Sequence, residues 1–376
     1  MLKKNILKKL NQNKYLSFLF FLALLNMVAI FLFFGFQMRG DSDDYIPTIQ
    51  WFSGAEAARP PLYRLLRPLG PILAVPFEFL GGGAGLIVQN IIFYFFSVYL
   101  IFKITEFIFH NKKQALLASI FFITALPFLE SGLSYLTDMG AWFFYLLSLY
   151  LTLLYFRNKD EKLIIINGFL SGLGVLIKEN GGLGVLFFGM MILISNEFNI
   201  REKFLKILRF GIFFLIPILI LQIIMYGFFD YTYWDWYLSN TSFYLDKEGG
   251  KFSLVLAHLS GLYRALGIIG WPLALLGLWR EYRERSIERM KTYLALIPPS
   301  FFFLIWPSSS ARVVFTFAPL GILFISKGLL YLKNIFGKNK GKLIGMTLIL
   351  ISIALSYYSH MRGDYFPFIR VEDLLR

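Results

Sequence analysis

Apolar residues run along this chain in long blocks separated by short polar stretches, and the alternation continues nearly to the end. A helix that crosses the hydrocarbon of a bilayer needs about 20 mostly apolar residues, because each residue advances the chain by about 1.5 Å. The blocks predict about eleven such helices, near 16–36, 86–108, 115–129, 139–156, 163–177, 181–195, 207–229, 254–278, 292–306, 313–333 and 343–358. The expected fold class is an all-α polytopic membrane protein. One run, 69–80, stands apart. It follows Pro60-Pro61, Arg64 and Arg67 and ends in the GlyGlyGlyAlaGly break at 81–85. It is expected to be an interfacial or re-entrant element within a first long loop, 37–85, and not a crossing.

Composition supports this pattern. The 376 residues are 57% hydrophobic, 19% aromatic and 16% charged, with a mean hydropathy of +0.63. A soluble domain exposes too much surface for so few polar residues to cover. The net charge of +14 would suggest a nucleic-acid partner in a soluble protein, but here the basic residues cluster between apolar blocks. Lys3, Lys4, Lys8, Lys9 and Lys14 precede the first span and argue for a cytoplasmic N-terminus. Alternation then puts 111–114, 157–162, 196–206, 280–291 and 334–342 on that same side. The partner implied is the lipid bilayer, and nucleic acid is excluded. No small-residue cleavage site follows Phe36, so the first span is expected to be a retained anchor. No repeat of fixed period is visible, which disfavours transporters built from inverted repeats.

The absence of cysteine excludes disulfides and thiolate chemistry and fits a bacterial or archaeal plasma membrane. Only His110, His258 and His360 offer imidazole, which leaves carboxylates as the acid/base groups. The outer face is expected to collect 37–85, about 130–138, the bend at 178–181, the loop 230–253, the turn 307–312 and the tail 359–376. Asp41, Asp43 and Asp44 crowd the start of the first loop, and crowded acids need a cation or a proton between them. They suit a general base or a divalent ion no better and no worse than a solvated loop start.

Asp138 lies at the mouth of a span, where a carboxylate is either functional or a helix cap, and the cap is the stronger reading for that residue alone. Lys178 in LysGluAsnGlyGly suits a lipid phosphate, with a plain Asn-Gly turn as the equal alternative. Arg312 offers bidentate phosphate recognition or a snorkelling anchor. The aromatic run 226–237, with Asp230 and Asp235, is expected to be an interfacial belt more than a sugar-stacking surface. AsnThrSer at 240–242 is a weak glycosylation pattern. The glycines at 81–85 and 172–176 lack the context of a phosphate-binding loop and are expected to be hinges or packing contacts.

The order of these features resembles the GT-C superfamily of membrane glycosyltransferases, in particular the branch of protein O-mannosyltransferases and lipid A aminoarabinose transferases. The resemblance rests on Asp41 to Tyr45, ArgProProLeuTyrArgLeuLeu at 59–66, ThrAspMetGlyAlaTrpPhePhe at 137–144, GlyLeuGlyValLeuIleLysGluAsnGly at 172–181, and Arg312 with Pro319. It covers roughly 1–200 and one late helix. Two departures stand out. Ser42 follows the first acid where the family often has a second, so Asp41 competes with the Asp43/Asp44 pair for the catalytic role. Only a short tail follows the last predicted span, so acceptor recognition is expected to fall to the loops.

The resemblance implies a catalytic module, 1–200, and a variable module, 201–376. It implies an inverting glycosyltransferase that moves a monosaccharide from a polyprenyl-phosphate donor to a hydroxyl of a glycan, lipid or protein acceptor on the extracytoplasmic face. Asp41, Asp44 and Asp138 would be catalytic, with Asp41 as base. Lys178, Arg312, Arg59 and Arg64 would hold the donor phosphate, and Asp43, Tyr45, Glu179 and Tyr63 are secondary candidates. A divalent cation, Mg²⁺ or Mn²⁺, would sit on Asp41 and Asp138 if one is used. The rival class is a transporter or flippase for a lipid-linked saccharide, which would place its charges at the bilayer midplane. The topology has a direct check in this cysteine-free chain. A membrane-impermeant maleimide should label Ser53→Cys on intact cells and Lys159→Cys only after permeabilisation; the reverse pattern would invert the assignment.

Overall fold

The computed structural model describes residues 2–38, 41–55, 58–247, 251–306 and 311–362. Among them there is no strand. The helices are α1 (Leu2–Phe34), α2 (Ser42–Ser53), α3 (Leu62–Leu65), α4 (Leu69–Ala74), α5 (Ala84–Phe109), α6 (Lys112–Thr124), α7 (Asp138–Asn158) and α8 (Lys162–Ile177). They continue with α9 (Gly184–Ile194), α10 (Ile200–Phe229), α11 (Tyr233–Lys247), α12 (Lys251–Glu284), α13 (Ile287–Ser300), α14 (Ala311–Val314), α15 (Ala318–Phe336) and α16 (Lys338–Arg362). A helix lies at each of the eleven predicted segments. Seven of the described helices are long and apolar enough to cross a membrane. Segment 60–80 breaks into α3, α4 and a 3-10 turn at Val75–Leu80, none of which could cross.

Several boundaries differ from the sequence expectation for local reasons. The polar stretch 196–206 is mostly helix, because Asn199 and Glu202 form a reciprocal cap that starts α10 at Ile200. The basic stretch 280–291 is helix up to Glu284 and again from Ile287, since Arg and Glu are good helix formers outside the bilayer as well. α6 stops at Thr124, two residues ahead of Leu126-Pro127, and α13 ends just after Pro298-Pro299. Within α12 the helix is broken at Gly267, with φ 69 and ψ 169. The expected loop 230–253 holds helix α11. Its start is capped by Asp235, which accepts from Thr232 N (2.8 Å) and Thr232 Oγ1 (2.6 Å). The turn 307–310, the tail beyond 362, Gly40 and the Ser242 side chain of the 240–242 triplet lie outside the described residues.

Basic residues expected on one side do share one end of the bundle. There Lys159 pairs with Glu197, Lys206 and Arg209 meet Glu161, and Arg289 and Lys327 meet Glu281 and Glu284. In the interior, the buried Asn26 of α1 donates to Tyr94 of α5 and the Ile123 carbonyl of α6, and accepts from Tyr357 of α16. Hydrophobic burial contributes little between helices in lipid, so polar contacts and close backbone approach hold such a bundle together. α12 and α15 illustrate the second. A Cβ on Gly277 would stand 1.9 Å from the Phe324 carbonyl oxygen, and one on Gly328 would stand 2.1 Å from that of Leu273. Gly277→Leu or Gly328→Leu should therefore destabilise the bundle by about 1–3 kcal/mol or more, seen as a lower unfolding midpoint in detergent. Gly189, with nothing near its Cβ, should tolerate alanine.

Candidate active site

At the end opposite the basic loops, five separate segments converge. Asp41 immediately precedes α2, and Asp43 and Asp44 occupy its first turn, where carboxylates favour the positive end of the helix. Tyr45 is fully buried beneath them, and its hydroxyl accepts from Thr137 Oγ1 at 2.9 Å. Pro61 starts α3, which delivers Tyr63 and Arg64, with Arg67 one turn later. On α5, Asn90 donates to the carbonyls of Ser134 (2.8 Å) and Leu136 (2.7 Å), fixing the approach to α7 and hence Asp138. Lys178 follows α8, whose last turn presses on the following bend. A Cβ on Gly174 would lie 2.5 Å from the Gly181 oxygen, so glycine is needed for that contact. Arg312 comes from α14.

These side chains form one chain of alternating charge. Lys178 Nζ lies 2.7 Å from Asp138 Oδ1, and Asp138 Oδ2 is 3.5 Å from Arg312 Nη1. Arg312 Nη2 donates to Asp41 Oδ2 at 2.7 Å, and Arg64 Nη2 to Asp41 Oδ1 at 3.1 Å. Arg64 also grips Asp44 Oδ2 through Nε (3.2 Å) and Nη2 (2.9 Å), and Tyr63 donates to the same oxygen at 2.7 Å. The Arg64 guanidinium lies 4.4 Å from the Tyr45 ring centroid. Beside this chain, Arg67 pairs with Glu179. Asp138 is fully buried, whereas the Asp41 and Asp44 side chains keep 31% and 29% exposure. Asp138 is thus enclosed by Lys178 and Arg312, whereas Asp41 and Asp44 keep exposed carboxylate surface.

They face a cavity of about 410 Å³, within the range of roughly 300–1,000 Å³ usual for small-molecule sites. Asp41, Asp44, Arg64, Arg67, Lys178 and Arg312 line one side of it, with Tyr63 beside them. Burial by itself pushes the Asp41 carboxyl up, but the Arg312, Lys178 and Arg64 charges override it and hold the group well below the usual carboxylate range. Burial and the bond to Asp44 push the Tyr63 phenol up.

Of the candidates read from the sequence, Asp41, Asp44, Asp138, Lys178, Arg64, Arg312, Tyr63 and Tyr45 are brought together. Glu179 is one step removed, on Arg67. Arg59 is exposed, 5.4 Å from the Phe229 ring centroid, and Asp43 is exposed; neither lines the cavity. Arg67, not among the candidates, also lines the cavity, and its spacing of three from Arg64 is the signal that puts both on one side of a helical turn. The same acids are the groups that could hold a divalent ion. Both Asp41 oxygens already accept from guanidinium groups and Asp138 Oδ1 accepts from Lys178, so a divalent ion would have to displace cations. The described residues gather no cluster of three or more His, Asp or Glu suited to one.

Comparison with known proteins agrees with the fold. Residues 77–224 match the family described as dolichyl-phosphate-mannose-protein mannosyltransferase; the stretch carries Asp138 and Lys178 and spans less than half of the chain. No curated protein matches the sequence. Among solved structures, the archaeal oligosaccharyltransferase AglB from Archaeoglobus fulgidus, in complex with an inhibitory peptide and a dolichol-phosphate, superposes with a TM-score of 0.61 at 15% identity. The similarity covers 92% of this chain and 56% of AglB, so this chain spans little more than half of that protein's length. The fold is thus similar to that of AglB, with seven described helices long and apolar enough to cross a membrane, and the resemblance read from the motif order holds in the family match over 77–224.

The buried Lys178–Asp138 pair generates a test. Removing one partner of such a pair strands a charge, at a cost of about 3–5 kcal/mol, whereas an apolar pair of similar size is often neutral. Lys178→Met should lower the unfolding midpoint sharply, and adding Asp138→Leu should restore most of it. An unchanged midpoint in the single variant would show that the pair does not hold the bend.

Proposed function

We propose that this protein is a glycosyltransferase that moves one sugar from a polyprenyl-phosphate donor to an acceptor hydroxyl on the extracytoplasmic face, inverting the anomeric centre. The observation that carries the reading is the cavity itself. It places two accessible carboxylates within reach of three or more fixed cations at one end of a GT-C-type bundle. The mannosyltransferase family match and the dolichol-phosphate in the AglB complex support the donor class.

The acceptor oxygen attacks the anomeric carbon as the carbon–oxygen bond to phosphate breaks. The electron pair leaves with the phosphate, and the acceptor proton passes to a carboxylate. Arg312 and Lys178 stand where they can meet the developing phosphate charge, and Arg64 keeps Asp41 and Asp44 side by side. An incoming phosphate competes for Arg312. Losing that partner raises the proton affinity of Asp41, so donor binding prepares the base. A carboxylate beside the anomeric carbon also stabilises oxocarbenium character. Guanidinium and ammonium groups supply the positive charge, so the reaction is proposed to need no divalent cation.

Purified protein given synthetic polyprenyl-phosphate mannose, glucose and aminoarabinose should transfer or hydrolyse at least one of them, and EDTA should leave the rate unchanged. Asp41→Asn should abolish turnover while donor binding persists. Arg312→Gln should raise the donor KM about tenfold or more, the equivalent of losing a charged hydrogen bond of roughly 1.5–3 kcal/mol. Binding of all three donors without turnover of any would overturn the enzyme reading in favour of transport.

A further inference from the structure

The cavity has a second wall that neither the carboxylates nor the cations account for. It is formed by Tyr231 ahead of α11, by Trp236, Ser239 and Asn240 of α11, and by Trp306 after α13. All five are neutral, and two are indoles. One side of the cavity is thus ionic and the other aromatic with amide and hydroxyl groups, a division that matches the two ends of a glycosyl phosphate.

Aromatic residues near a bilayer surface ordinarily belong to the interfacial belt, and α11 allows the two roles to be separated. Trp234 and Tyr237 lie on its outward side, 66% and 39% exposed, with their rings stacked on each other at 6.2 Å. Trp236 and Asn240 are four residues apart, hence on one face, and that face lines the cavity. Trp236 is 9% exposed. Its indole lies under the Arg67 guanidinium, 4.4 Å from the centroid, and Arg67 is held in turn by Glu179. Trp306 stands 6.2 Å from Trp236, centroid to centroid, and its carbonyl lies 3.1 Å from the buried His258 Nε2. The wall is therefore held in place from α8, α11 and α12 and does not depend on a ligand to order it.

We infer that Trp236, Asn240 and Trp306 form a carbohydrate subsite that seats the pyranose ring of the donor while its phosphate lies on Lys178 and Arg312. The inference rests on the reading proposed above. An indole offers a flat apolar face to the C–H face of a pyranose. The Asn240 amide donates and accepts, as ring hydroxyls do, and Ser239 adds a further hydroxyl. Such a wall would discriminate sugars by the hydroxyls that it leaves unpaired.

The test compares the binding of two probes by titration calorimetry, which needs no turnover: a polyprenyl-phosphate hexose that wild-type protein binds, and the same polyprenyl phosphate without sugar. Asn240→Ala and Trp306→Ala should weaken the sugar-bearing lipid about fivefold or more, from the loss of one or more hydrogen bonds or ring contacts, and leave the sugar-free lipid unchanged. Trp236→Phe should fall between them and wild type, since it keeps a ring against Arg67. Equal weakening of both lipids would overturn the inference by showing that the wall serves the lipid or the fold. So would unchanged binding of both. An increase confined to the acceptor KM would assign the ring to the acceptor and overturn the donor assignment. Failure of the reaction itself would appear separately, as absent turnover in wild-type protein.

Discussion

A charge held away from water must be neutralised by a charge close by, and this requirement organises one whole end of the molecule. Arg312 meets Asp41, 271 positions away in sequence, and also approaches Asp138. Lys178 closes the same network from another helix end. Each carboxylate shares a cation with a neighbour, so the loss of one member alters the charge that the next one meets. Coulomb attraction is strong where water is excluded, but it offsets the cost of desolvation only when the partners are complete and well placed. Completeness here depends on α2, α3, α7, the bend after α8, and α14 ending at one place.

The rest of the bundle can be understood as what holds those ends in register. Asn90 clamps the segment before Asp138, the glycine contact between α8 and the bend positions Lys178, and Asn26 binds α1, α5, α6 and α16 together. None of these groups touches the cavity. They let the ionic network keep its geometry without a ligand, as a site must if it is to stabilise charge that develops during a reaction and not charge that is already there. The ions gather at one end of the bundle, whereas ionisable groups of transport pathways usually line the midplane.

The two walls of the cavity have different origins. The ionic wall is built largely from the segments that carry the family-like motifs, with Arg312 as the one contribution from the second half. The aromatic wall comes entirely from the second half, from Tyr231, α11 and the turn after α13. In the reading proposed above, the ionic wall is constrained by mutual neutralisation and the aromatic wall by the shape and hydroxyl pattern of the sugar.

Much of this was legible in the sequence, for physical reasons. Lipid imposes a length and an apolar composition on any spanning helix, so a helix lies at each of the eleven apolar segments, and the basic loops share one end. Carboxylates and cations at helix mouths are costly enough to stand out, which identified Asp41, Asp44, Asp138, Lys178, Arg64 and Arg312. Other features depended on the tertiary structure. Whether Asp138 caps its own helix or anchors Lys178 depends on a residue forty positions away. Whether Trp236 belongs to the membrane belt or to the cavity depends on which side of α11 it occupies, and a capping contact of Thr232 with Asp235 makes that stretch a helix at all. Arg59 and Asp43 look equivalent to their neighbours in sequence, yet the turn geometry of α2 and α3 leaves them outside. Composition and spacing report the solvent that each residue must meet; which charges meet each other is decided only when the helix ends converge, because neutralisation acts over a few ångströms in space and not along the chain.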